Sequence, residues 1–315
     1  MRPLNSFSRA KLGIFPSPIH KLENISKLLH TNVYIKRDDL TGLGLGGNKV
    51  RKLEFLLADA KSQGAEIVFT TGGAQSNHAM LTAAAANKLG LRSILILKKR
   101  GVTERLGNQL LEHLMGTEVI FMDTDDYHDI YVEMDRIGCS LGVPYYKIPC
   151  GGSNALGSLG YVDCAREISE QDIHFQHIVC AVGSGGTMAG LALGAKLFLP
   201  HTKVHGMMVD TEPFERITLS LMHDAAALLE SEVENQSGDF SLRDMCGPGY
   251  AIPSQEGNAA LALMAEEEGI FLDPVYTGKA FAGLLSMARE DVFQESDHVL
   301  FLHSGGAGGL FAIKD

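Results

Sequence analysis

Apolar positions fall in short blocks along this chain rather than in single alternation. Runs rich in β-branched residues stand at Val33–Ile35, Ile67–Thr70, Ile94–Leu97, Val119–Phe121, Ile178–Val182 and Val299–Leu302. They are short for helices and lack the in-and-out alternation of a half-exposed sheet, so they predict strands covered on both faces. Between them lie longer segments of helical character, Arg51–Lys61, Ala79–Leu89, Arg105–Leu114, Gly157–Glu170, Thr187–Phe198 and Lys279–Ala288, with glycine-containing turns at their ends. This alternation predicts an α/β fold with mainly parallel sheets. One stretch breaks the pattern: Glu230–Asp244 is polar and acidic and reads as a solvated surface insertion. No self-similar period of repeat-protein length is present.

At 315 residues the chain exceeds the size at which one core usually stops growing, which predicts one large domain or two unequal lobes with a cleft. A formal net charge of -11 argues against nucleic-acid and anionic-membrane partners, so any anionic ligand must be held by local groups. The five cysteines never form a C-x-x-C pair, and neither a disulfide framework nor a metal site is expected. A reducing, cytoplasmic setting fits best. Met1–Pro16 is interrupted by charged and polar residues and reads as no secretory signal, and no run approaches the roughly 20 apolar residues of a membrane helix.

Glycine-rich turns carry the candidate chemistry. Gly42–Lys49 precedes a helix, but Asn48 interrupts the glycine-lysine pair of a nucleotide-triphosphate loop and Val50 replaces its hydroxyl. What remains is a lysine at a tight turn, where the positive end of the helix dipole would lower the pKa of its amine and favour nucleophilic use. Gly183-Ser184-Gly185-Gly186-Thr187 follows a strand and opens a helix, the arrangement of an anion cradle made of backbone amides. The rivals are a structural turn and a dinucleotide fingerprint, whose third glycine would fall at Met188. Thr70–His78 runs from strand through glycines into a helix, where Ser76 or Asn77 could serve simply as N-cap. Ser304 lies at the carboxyl end of the last strand, where open α/β sheets bind ligands.

In order, Ile35–Gly42, Gly46–Glu54, Gln75–His78, Gly183–Thr187 and Asp273–Lys279 resemble the β-family, or fold type II, of pyridoxal 5'-phosphate (PLP) enzymes. The resemblance is strongest to the branch that holds D-cysteine desulfhydrases and 1-aminocyclopropane-1-carboxylate (ACC) deaminases, and it spans nearly the whole chain. It implies two open twisted sheets, a large PLP-binding domain from residues 1–49 and 154–315, and a small inserted α/β domain from residues 50–153. Lys49 would carry the cofactor as a Schiff base, and Gly183, Ser184, Gly185, Gly186 and Thr187 would hold its phosphate with help from Lys52. Asn77 would reach the ring 3'-oxygen, Gln75, Ser76 and Asn77 would face a small amino-acid substrate, and Ser76 would donate to its carboxylate. Tyr250 and Tyr276 match active-site positions, with core packing as the alternative for each. A homodimer follows from the same resemblance.

ACC deaminases carry Glu after the second tyrosine and Leu in the late glycine turn, where this chain has Thr277 and Ser304. A carboxylate at the ring nitrogen makes a strong electron sink, and a neutral hydroxyl makes a weaker one that suffices for a good leaving group such as a thiolate. The implied activity is therefore PLP-dependent α,β-elimination of the desulfhydrase kind. The rivals are ACC deaminase, L-cysteate sulfo-lyase and D-serine or chloroalanine ammonia-lyase, and, outside catalysis, a PLP-binding carrier or regulator.

Overall fold

A computed structural model describes residues 1–312. Its strands are β1 (Ile19–Lys21), β2 (Asn32–Arg37), β3 (Ile67–Gly73), β4 (Arg92–Lys98), β5 (Glu118–Met122), β6 (Tyr145–Lys147), β7 (His177–Val182), β8 (Lys203–Met208), β9 (Phe240–Asp244) and β10 (His298–His303). They form a six-stranded sheet in the order β1-β2-β10-β7-β8-β9 and a four-stranded sheet in the order β5-β4-β3-β6. Every pairing is parallel except β1 with β2.

The unbroken apolar runs have a direct cause. Ile178, Cys180, Val182, Leu300 and Leu302 feed one core, packed with the helices Ala155–Ser169, Gly186–Phe198 and Phe214–Leu228. Their neighbours Val179, Val299 and Phe301 point the other way, onto Gln255–Glu268 and Thr277–Arg289. A strand that is buried on both faces has no polar position to spare. In the smaller sheet β3 is buried at all seven positions.

All six runs read as strands from the sequence are strands, and each segment read as helical falls on a helix, Arg105–Leu114 beginning two residues early and Gly157–Glu170 ending one residue late. Four strands were not anticipated. β1 and β6 have only three residues each, and β8 carries Gly206, where a Cβ would sit 2.6 Å from Val182. The fourth corrects the reading of Glu230–Asp244: its last five residues form β9, an edge strand paired with β8, with Phe240 buried and Ser241 exposed. An edge strand has one unpaired side, which tolerates the polar residues that suggested a loop. Among the described residues no helix is long and apolar enough to cross a membrane.

Candidate active site

The carboxyl ends of β2, β3, β7, β8 and β10 all deliver residues to one cleft. Lys49 is the first residue of the helix Lys49–Ser62 and is reached from β2 through a tightly tied turn. Gly47 N donates to Asp38 O (2.8 Å) and to Thr41 Oγ1 (3.0 Å), and Asn48 N donates to Ser304 O (3.0 Å). Two residues on, the buried Arg51 guanidinium meets Asp38 at 2.8 and 2.9 Å and Glu167 at 2.8 Å, which fixes the helix start between the two sheets. Among the described residues the Lys49 amine has no hydrogen-bond or ion-pair partner. Burial pulls its pKa down to about 8, against the opposing influence of the nearby Cys150 thiol. A lowered pKa was expected from the helix end; the lowering here comes from desolvation.

Facing this amine is the turn after β7. Gly185 has φ +81°, a conformation that favours glycine, and a Cβ on it would lie 2.8 Å from Ile217. The helix Gly186–Phe198 has Gly185 as N-cap and so has no side-chain cap, which leaves first-turn amides in want of acceptors. Ser153 Oγ takes one of them, from Gly186 N at 3.2 Å, and lies 2.9 Å from Ser184 Oγ. Asn48 Nδ2 donates to Thr187 Oγ1 at 3.0 Å and so ties the lysine turn to this cup. Lys52, fully buried, bonds Gly151 O (3.1 Å) and Ser153 Oγ (3.3 Å) and has no carboxylate partner among the described residues. Burial and the Lys49 charge both hold its pKa well below the usual lysine value. Uncapped amides, three hydroxyls and a buried amine with no carboxylate beside it, whose charged form an anion would restore, make a site that a phosphate group fits.

The remaining walls come from both sheets. Ser76 caps the helix Asn77–Leu89 by accepting from Ala79 N (3.2 Å), as the simpler sequence reading expected, and also lines the cleft. Asn77 lines it too, its Oδ1 engaged by Asn108 Nδ2 at 2.7 Å. Tyr250 and Tyr276 meet across the opening with hydroxyls 2.5 Å apart and rings at 69°. Burial raises the pKa of both phenols, that of Tyr250 to about 12, which keeps them protonated donors. Ser304 lies on the cleft wall at the end of β10.

Two expected residues take other roles. The Thr277 hydroxyl donates to Asp273 Oδ1 and accepts from Asp273 N, both at 2.7 Å, and stands behind Tyr276 outside the cleft lining. It is the first residue of a helix whose opening amides Asp273 already gathers, and that local bonding consumes it. Gln75 spends its amide on Val102 O, Leu106 O and Asn108 N, at 2.8, 3.1 and 2.8 Å, and lines a second, outer chamber instead. Residues that the sequence did not single out complete the cleft: His78, Tyr127, Cys150 and Asp210. His78 bonds Thr70 Oγ1 (2.8 Å), and burial beside Lys49 and Lys52 holds its pKa well below the usual value, so its ring is neutral. Cys150 Sγ lies 3.3 Å from Tyr127 OH. The glycines after Cys150 were the only signal available for that wall.

Among the described residues no group of three or more metal-ligating side chains is assembled. The sequence profile of the pyridoxal-phosphate dependent enzyme family matches residues 10–305. A D-cysteine desulfhydrase of Yersinia enterocolitica is 43% identical over 98% of this chain and 97% of its own, and one of Serratia proteamaculans is 41% identical over the same shares. A crystal structure described as an ACC deaminase homologue superposes with a TM-score of 0.92 at 42% identity, covering 99% of this chain and 97% of that one. A threonine deaminase of Solanum lycopersicum, at 18% identity and TM-score 0.67, shares the fold. The free amine, the anion-seeking cup between the two sheets and these full-length likenesses agree, and the chain belongs to the pyridoxal-phosphate dependent enzymes.

Proposed function

We propose that this enzyme eliminates a β-substituent from a small amino acid, with D-cysteine as the favoured substrate and pyruvate, sulfide and ammonia as products. Relatives named for D-cysteine desulfhydration at 41–43% identity support that choice. The observation that carries it is Ser304, a neutral hydroxyl on the cleft wall, with Asp210 the single carboxylate among the described lining residues. Lys49 holds the cofactor, and the cup Gly183–Thr187 holds its phosphate together with Lys52, Ser153 and the helix amides. When bound, the cofactor supplies an electron sink that stabilises negative charge at the substrate α-carbon.

Lys49 accepts and carries the α-proton. With a pKa near 8, roughly a tenth of a free amine is already neutral at pH 7. Ser76 donates to the substrate carboxylate, and Asn77 orients the ring. The Tyr250–Tyr276 pair, kept protonated by burial, supplies a proton to the departing sulfur. The segment 50–153 is read as a lobe that closes on the substrate and excludes water. The same reading makes the protein a cytoplasmic homodimer, for which the exposed Leu110, Leu114 and Phe311 offer apolar surface. An amino-acid panel containing D- and L-cysteine, ACC, D-serine and L-cysteate, scored for pyruvate and 2-oxobutyrate, tests the assignment. Highest turnover on ACC, with 2-oxobutyrate as product, would reverse it.

A further inference from the structure

Lys279 is fully buried and its ammonium reaches no carboxylate at ion-pair distance among the described residues. It donates instead to two backbone carbonyls, Cys246 O at 2.7 Å and Gly249 O at 3.0 Å. A desolvated ammonium held only by carbonyls is costly, and the cost has a visible purpose where it fixes a segment that would otherwise be loose. Both carbonyls belong to the segment entering and forming the loop that joins β9 to the helix Gln255–Glu268, with Tyr250 on it. That loop is conformationally strained. Gly247 and Gly249 have φ +62° and +147°, and the non-glycine Ala251 has φ +63°. Ile252, next in line, is 49% exposed, so little packing restrains the tip.

The Tyr250 phenol separates two spaces. On one side is the cleft with Lys49, and on the other is the outer chamber lined by Gln75, Arg100, Ala251 and Val275; Asn77, Tyr250 and Tyr276 border both. We propose that Lys279 is a positioning residue: by gripping the Gly247–Pro253 loop it sets the Tyr250 hydroxyl against Tyr276 and so governs passage between outer chamber and cleft. The kinetic part of this inference rests on the elimination reading, and the access part does not.

Lys279→Met removes the donors at similar length, and Lys279→Gln retains a donating amide. Each loaded enzyme is assayed for hydroxylamine attack on the bound cofactor, followed by absorbance, which needs access and no turnover, and for steady-state kinetics on the best amino acid of the panel. Lys279→Met is expected to speed hydroxylamine access about tenfold and to lower kcat about tenfold with KM changed less than about twofold, with Lys279→Gln lying between it and the parent. In a Tyr250→Phe background Lys279→Met should cost kcat nothing further, because the two act through one group. A full additive loss in that background, or an unchanged hydroxylamine rate in a folded variant, overturns the proposal. If no amino acid is turned over, the elimination reading fails while the hydroxylamine rates still decide the gate. Gly247→Ala, which forces a side chain onto a backbone at φ +62° and sets its Cβ 2.8 Å from Ser254 Cβ, disturbs the loop without replacing Lys279 and serves where Lys279→Met does not fold: access must again quicken, and an unchanged rate rejects the idea.

Discussion

The floor of the cleft and its outer wall are built on different principles. The Gly183–Thr187 cup and Ser304 sit directly at strand ends and Lys49 at a helix start, cross-tied through Asn48 to Thr187 and Ser304 and pinned below by Arg51 with Asp38 and Glu167. Backbone register sets their positions to within the tolerance of the sheet. Tyr250, by contrast, rides a strained loop held by one lysine. The floor is suited to retaining a cofactor through many turnovers, and the wall to admitting and releasing substrate in each one.

This contrast is open to attack from both sides. The largest effect is expected for Lys49→Ala, which should abolish turnover by on the order of a thousandfold or more and remove the absorbance of the lysine-bound cofactor. A purified variant that keeps both disproves the role of this amine. Tyr250→Phe should lower kcat about a hundredfold while cofactor occupancy stays full, as expected for loss of a general acid. Gly186→Ala attacks the floor: a Cβ there would lie 2.6 Å from Ser153 Oγ and 2.9 Å from Lys52 Nζ. The Kd for pyridoxal phosphate, measured by titration of the cofactor-free protein, should rise about tenfold to a hundredfold. Ser304→Ala should slow the reaction by about tenfold and leave retention nearly intact, and a drop in measured occupancy would contradict it. The smallest test is the pH profile of cofactor uptake. Because burial lowers the pKa of Lys49 to about 8 from the usual lysine value of about 10.5, uptake should climb with pH up to about 8 and then level. Continued growth towards pH 10 would assign the amine an ordinary pKa.

Floor and wall also differ in how far the sequence revealed them. A cup made of backbone leaves glycines at fixed spacing, and a lysine at a helix start after such a turn has few structural excuses, so both were legible. Five of the six legible strands announced themselves because their middles are largely buried and apolar; the half-buried edge strand β5 was legible from its β-branched run alone, and β8, six residues long, was missed. Side chains that enter the cleft from far along the chain leave no local mark. Tyr127, His78 and Asp210 look like any helix or strand-end residue until the topology brings them together. Thr277 shows the converse: its place beside Tyr276 in a motif suggested a ligand role, yet Asp273, four residues earlier, had already claimed its hydroxyl.

The strand order carries a consequence for how the molecule comes into being. β10, last in chain order among the described strands, lies between β2 and β7, the two strands followed by the lysine turn and the glycine cup. Until it inserts, those halves have no shared register and no ligand can bridge them. Assembly of the cleft therefore waits on this one strand, and a chain cut before β10 is expected to bind no pyridoxal phosphate.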